Sequence, residues 1–126
     1  MKEYLNGIQH IGLPVKSAKE AKDFYETLGF TLDYYTPQTN GKDCFFMKLD
    51  NLVMEIYDFD NPAGVSGSID HLSIDCTDIE AVYDECQKLG YGIETNGIEA
   101  LPYWNGVRFF KIKGPAGEMI EFCQKL

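Results

Sequence analysis

The sequence predicts an α+β fold made of two tandem βαβββ modules, and three features of its 126 residues carry that expectation. First, Gln9-His10-Ile11-Gly12-Leu13-Pro14-Val15, followed by a helix-like stretch ending Leu28-Gly29-Phe30, recurs as Asp70-His71-Leu72-Ser73-Ile74-Asp75-Cys76 and a second stretch ending Leu89-Gly90-Tyr91. The offset is 61 residues at the histidine, the leucine and the glycine alike. Second, Phe45-Phe46 returns as Phe109-Phe110 at an offset of 64, and Glu55 returns as Glu121 at an offset of 66. Third, the added residues fall in loops, so each half keeps a glutamate at the same place in its last strand. A duplicated supersecondary unit accounts for all three.

Each element has a local cause. Gly7 to Val15 is apolar and reads as a strand. It leads to Ser17-Ala18-Lys19-Glu20, a capping box that opens a helix. Ala21, Phe24, Tyr25 and Leu28 supply that helix's apolar stripe, and Gly29 stands where a left-handed C-terminal cap is expected. Strands follow at Phe30 to Thr36, Asp43 to Leu49 and, after a tight Asp50-Asn51 turn, Leu52 to Asp58. Phe59 to Ser68, rich in Gly, Pro and Ser, reads as a linker. The whole of 1–126 is then one domain, with module 1 over about 5–58, a linker over about 59–68 and module 2 over about 69–126.

The second module repeats the order. Ile69 to Asp75 is a strand, and Asp78 is a good N-cap for a helix through Leu89. Ile79, Val82, Tyr83, Cys86 and Leu89 form its expected buried face. Strands are expected near Ile93, at Val107 to Lys113 and at Met119 to Gln124, with Gly114-Pro115-Ala116-Gly117 as the last turn.

Composition narrows the function classes. An apolar fraction of 44% excludes disorder, and no apolar run approaches the ~20 residues of a membrane span. The start, Met1-Lys2-Glu3-Tyr4, lacks the apolar core of a signal peptide, so cytoplasmic residence is expected. Cys44, Cys76, Cys86 and Cys123 show no C-x-x-C spacing and read as reduced, core-filling thiols. A net charge of −9 with a single arginine, Arg108, argues against nucleic acid, because phosphate binding needs clustered Lys and Arg. The expected partner is a small molecule.

His10 and His71 are the only histidines, and each shares its module with a glutamate set in an apolar strand, Glu55 or Glu121. A carboxylate among Met, Ile and Phe is expensive to bury unpaired. Few cations are on offer, because there is one Arg and most Lys fall in helices or turns. One divalent ion held by His10, Glu55, His71 and Glu121 satisfies both carboxylates, and imidazole with carboxylate suits Ni, Co, Zn or Mn, and less well Fe. Alone, each residue reads as an ordinary strand residue; together, at duplicated positions, they read as a site. Around it, Phe46 and Tyr57 are either pocket walls or core, and Tyr103 and Trp104 either cap a pocket or pack. Arg108 pairs either with a substrate anion or with a surface carboxylate. Cys123, two residues beyond Glu121 on the same strand face, is placed to line the site.

From His10-Ile11-Gly12 to Gly114-Pro115-x-Gly117-x-x-x-Glu121 the chain resembles the vicinal oxygen chelate superfamily, the glyoxalase I, bleomycin-resistance and extradiol-dioxygenase group. The resemblance implies that the modules' sheets form a curled, mostly antiparallel open cup around a metal, with ligands on the first and last strands of each module. The set His10, Glu55, His71 and Glu121 is similar to that of glyoxalase I. It implies a lactoylglutathione lyase-like reaction, a proton transfer next to a carbonyl through a metal-stabilised enediolate. Glu121 would then be the base, with Glu55 the opposing ligand. The resemblance also implies a homodimer. Its alternatives are an epimerase or thiol transferase of the same superfamily, or a small-molecule binding protein without turnover. Many glyoxalases carry an arginine four residues after the first histidine, to contact glutathione. Pro14 stands there, which leaves the thiol open.

Overall fold

Residues 1–126 are described by a computed structural model. The chain falls into two compact units, Met1–Ala63 and Gly64–Leu126. No helix is long and apolar enough to cross a membrane.

The first unit opens with a 3-10 turn at Lys2–Tyr4 and continues β1 (Ile11–Val15), α1 (Ala18–Thr27), β2 (Thr31–Pro37), β3 (Asp43–Leu49) and β4 (Leu52–Asp58). Its strands form one mixed sheet in the order β1-β4-β3-β2, parallel at β1/β4 and antiparallel elsewhere. The second unit repeats this as β5 (His71–Asp75), α2 (Ile79–Lys88), β6 (Glu99–Leu101), β7 (Val107–Lys113) and β8 (Met119–Lys125), in the order β5-β8-β7-β6. This is the α+β, βαβββ-twice architecture read from the duplication.

The helix caps form as their residues dictate. Ser17 accepts from the Glu20 amide and Asp78 from the Ala81 amide, satisfying donors that helix N-termini leave over. Gly29 takes φ +94°, the left-handed cap that only glycine enters freely. α1 packs on β1, β3 and β4, and α2 on β7 and β8. The period-two alternation of the strands does the rest. Met47, Met54 and Ile56 are buried with Ala21 and Tyr25 of α1, while Phe110, Ile112, Ile120 and Phe122 are buried with Ile79 and Cys86 of α2. The opposite face of each sheet carries the half-buried Val53, Glu55 and Tyr57, or Met119, Glu121 and Cys123.

Several expected elements shift. The first strand of each module starts later than expected, at Ile11 and at His71, where its parallel pairing with Met54 and Met119 begins. The strand near Ile93 shrinks to a single bridge to Ile112, and the edge strand is instead Glu99–Leu101, because a turn at Gly97 (φ +67°) intervenes. Leu89 caps α2 and stays 46% exposed, as the helix ends before its apolar face can cover that position. The later linker residues are structured. Ser66 Oγ accepts from the Met119 amide, and Gly117 (φ +77°) is seated against the Gly64 carbonyl. Of the four free thiols, Cys44 and Cys86 are buried and Cys76 and Cys123 half-buried.

Candidate functional site

Parallel pairing of the first and last strand of each module brings histidine and glutamate together. Gly12 lies opposite Glu55 and Ser73 opposite Glu121, and the histidine precedes each by two residues. His10 Nε2 stands 3.1 Å from Glu55 Oε2, and His71 Nε2 stands 3.7 Å from Glu121 Oε2. In each module the ligand-type side chains meet as a pair, and no group of three or more forms.

The other ring nitrogen is held by the preceding residue in both cases. His10 Nδ1 lies 2.8 Å from Gln9 Oε1, and His71 Nδ1 lies 2.7 Å from Asp70 Oδ2. Amide and carboxylate oxygens only accept, so each Nδ1 donates, and Nε2, the nitrogen that faces the glutamate, is the one whose lone pair a metal would take. That is how metal-ligating imidazoles are held. The His71 bond holds the Asp70 carboxyl below its ordinary range, against desolvation and with help from Lys111.

Separation and donor type fit a divalent ion. Two ligand atoms ~2.1 Å from one ion and at right angles to each other stand about 3 Å apart, close to the His10–Glu55 spacing. Imidazole and carboxylate without thiolate is a donor set for first-row divalent metals.

The two pairs differ in their surroundings. Across the ladder from Glu55 is Phe46, whose ring meets His10 edge-on at 5.6 Å; across from Glu121 is Lys111. Lys111 Nζ lies 3.8 Å from Glu121 Oε2, 3.7 Å from Asp70 Oδ2 and 3.3 Å from His71 Nδ1. Lysine only donates, so the shorter Asp70 contact sets the histidine tautomer and Lys111 acts there as a charge. Ser73 Oγ donates to Glu121 Oε1 over 2.7 Å, where module 1 has Gly12. Besides His10, Glu55 has the Cys44 thiol at 3.8 Å, pushed above its ordinary range by burial and then by the Glu55 charge.

Sequence reasoning missed Lys111, Ser73, Gln9 and Asp70. The expectation that few cations reach the glutamates is corrected by Lys111, a strand lysine on the Glu121 face. Its signal was the lysine within Val107–Lys113 beside a strand bearing a glutamate.

The remaining candidates separate. Phe46 lines a cavity with His10, and Tyr57 lies on the same sheet face beside Phe59. Cys123 shares the Glu121 face, its thiol raised by burial and then by Glu121. Arg108 pairs with Glu80 of α2, the surface-carboxylate alternative. Tyr103 and Trp104 are 58% and 69% exposed, and Lys125 Nζ sits 4.2 Å over the Trp104 ring.

Tandem βαβββ modules, each with a His–Glu pair beside its parallel strands, define a two-module α+β class. The chain belongs to the Glyoxalase/Bleomycin resistance protein/Dioxygenase superfamily, which it matches over residues 7–122. It is 34% identical over 126 residues to the uncharacterized protein YwbC of Bacillus subtilis (strain 168), covering 94% of this chain and 97% of that one. Its fold is similar to that of FosX, a fosfomycin resistance protein of Listeria monocytogenes solved with Mn(II) and sulfate. There the TM-score is 0.75 at 13% identity, covering 97% of this chain and 94% of that one. It is likewise similar to TnmS3, an antibiotic binding protein of Streptomyces sp. CB03234, with TM-score 0.77 at 23% identity over 97% and 98%.

Proposed function

We propose that the protein is a metal-dependent lyase or isomerase of glyoxalase I type, which moves a proton next to a carbonyl through an enediolate. The observation that carries this reading is the repeated pair. In both modules Nε2 faces a strand glutamate and Nδ1 is tied to the preceding side chain. His10, Glu55, His71 and Glu121 would hold one divalent ion, with Ni, Co, Zn or Mn ahead of Fe. When bound, such an ion supplies Lewis acidity, stabilising negative charge on substrate oxygens.

The chain's own residues supply the proton chemistry. Glu121 takes and returns the proton, and Glu55 is the opposing carboxylate. Ser73 donates to Glu121 and orients it as an acceptor, while Lys111 faces it as a charge. Gln9 and Asp70 orient the imidazoles. FosX, a relative in fold, was solved with Mn(II), which supports a divalent ion here. A homodimer accompanies this reading, and light scattering on the purified protein tests it.

Elemental analysis of the parent and a His10→Ala/His71→Ala variant is the test. About one ion per site in the parent and almost none in the variant is the expected result. Methylglyoxal with a panel of thiols then screens turnover, and Glu121→Gln should lower it by about 10²-fold or more with the fold intact. A second reading, ligand binding without turnover, draws on the aromatic cavity beside His10. It predicts ligand affinity that survives Glu121→Gln and no turnover in either protein.

A further inference from the structure

The open face of the first module holds a cavity of about 390 Å³ lined by Gln9, His10, Asp33, Tyr34, Phe46 and Val53. Asp33 and Tyr34 are adjacent in β2, and a regular strand sends neighbours to opposite faces. Here both reach one cavity because the ladder is irregular. Leu32 pairs with Met47 and Tyr34 with the next residue back, Phe46, so Asp33 is the extra residue of a β-bulge. Bulges re-aim side chains beside functional sites. This one puts a carboxylate on the rim of an aromatic wall.

The wall itself is built for a flat group. Tyr34 and Phe46 stand with ring centroids 6.1 Å apart and a 47° tilt, and Phe46 meets His10 edge-on. Tyr34 remains 60% exposed, an open aromatic surface above the cavity. No lysine or arginine lines it. The cation on this sheet face, Lys48, pairs with Val53 in the ladder and lies outside the lining. Aromatic faces and an exposed carboxylate both attract positive charge and repel anions.

We propose, building on the metal-centre reading above, that this cavity is the substrate-specificity subsite and takes a flat aromatic group bearing a positive charge. Asp33 meets the charge and Tyr34 and Phe46 the ring. A substrate whose recognised end carries carboxylates, as glutathione does, is excluded from it.

Three matched probes test this on the protein as purified: naphthylmethylamine, naphthalenemethanol and naphthalenesulfonate, titrated by calorimetry or ligand-observed NMR. The amine should bind about threefold tighter than the alcohol, as expected for one exposed ion pair, with the sulfonate weakest. Asp33→Asn should erase the amine's advantage and leave the alcohol unchanged. Tyr34→Ala should weaken all three by about fivefold through the lost ring contact. Equal affinity for amine and sulfonate, or an amine preference that persists in Asp33→Asn, overturns the proposal. Metal content measured on the same samples separates the two readings. Metal present with the ranking absent removes only the subsite, and the ranking present without metal removes only the metal centre.

Discussion

The Ser73 hydroxyl donates to Glu121 Oε1 across 2.7 Å, joining two residues 48 apart that parallel pairing of β5 and β8 sets face to face. The equivalent pair in the first module is Gly12 and Glu55, where no hydroxyl exists. The duplicated site is therefore chemically uneven, and Glu121 is the more firmly held carboxylate. Ser73→Ala should cost about 1 kcal/mol of stability, the worth of one hydrogen bond to a half-buried carboxylate. Urea denaturation of the two proteins at one pH reads it, and an unchanged midpoint would show that water replaces the hydroxyl.

Lys111 is a resident cation beside His71, Asp70 and Glu121. A divalent ion entering there meets a like charge. Lys111→Met, which keeps the strand and the length of the side chain, should tighten metal binding by about tenfold, one like-charge contact near a protein surface. Calorimetric titration with Mn(II) or Zn(II) measures it. Weaker binding in the variant would mean that Lys111 supports the ligands instead of competing with the ion.

Burial pushes the thiols of Cys86 and Cys76 up to about 11, in each case with a nearby carboxylate adding to the effect. The folded state therefore keeps protons that the unfolded chain releases near 9. This contribution to stability is fully present below pH 9 and is lost as pH rises from 9 to 11. Cys86 is only 2% exposed, so its share is on the order of 2 kcal/mol. Thermal midpoints of the parent and Cys86→Ala, measured from pH 8 to pH 11, should converge as pH rises. Parallel curves would remove the assignment. The same raised values predict slow alkylation of Cys86 at neutral pH.

Gly117 combines φ +77° with a backbone neighbour, since a Cβ there would lie 2.0 Å from the Gly64 carbonyl oxygen. Gly117→Ala should destabilise by about 2 kcal/mol or more, because strain and overlap both fall on main chain that cannot swing away. Chemical denaturation reads the loss. Gly41→Ala, also at positive φ but with nothing within 4 Å, should lose less.

Local rules made much of the fold legible. The helix caps at Ser17 and Asp78 and the left-handed Gly29 depend on residues a few positions apart, so the sequence states them directly. The core was legible for a similar reason: Met54 and Ile56 alternate with Glu55, and period two sends them to opposite faces. Where long-range pairing competes with local pattern, reading failed. Ile93 looks like a strand, yet the sheet edge is taken by Glu99–Leu101. Arg108 was left between two partners until α2 placed Glu80 beside it.

By itself the sequence determined the duplication, the α+β class and the matched His and Glu positions, because repeats and periodicity are properties of order along the chain. Only the tertiary structure decided what surrounds those positions. It set Ser73 and Lys111 against Glu121, stood Phe46 beside Glu55 and turned Asp33 onto the face of Tyr34 through a bulge. The physical reason is register. Which side chains face one another across a sheet follows from how two distant strands align, and a single extra residue in one of them turns a carboxylate from one face to the other.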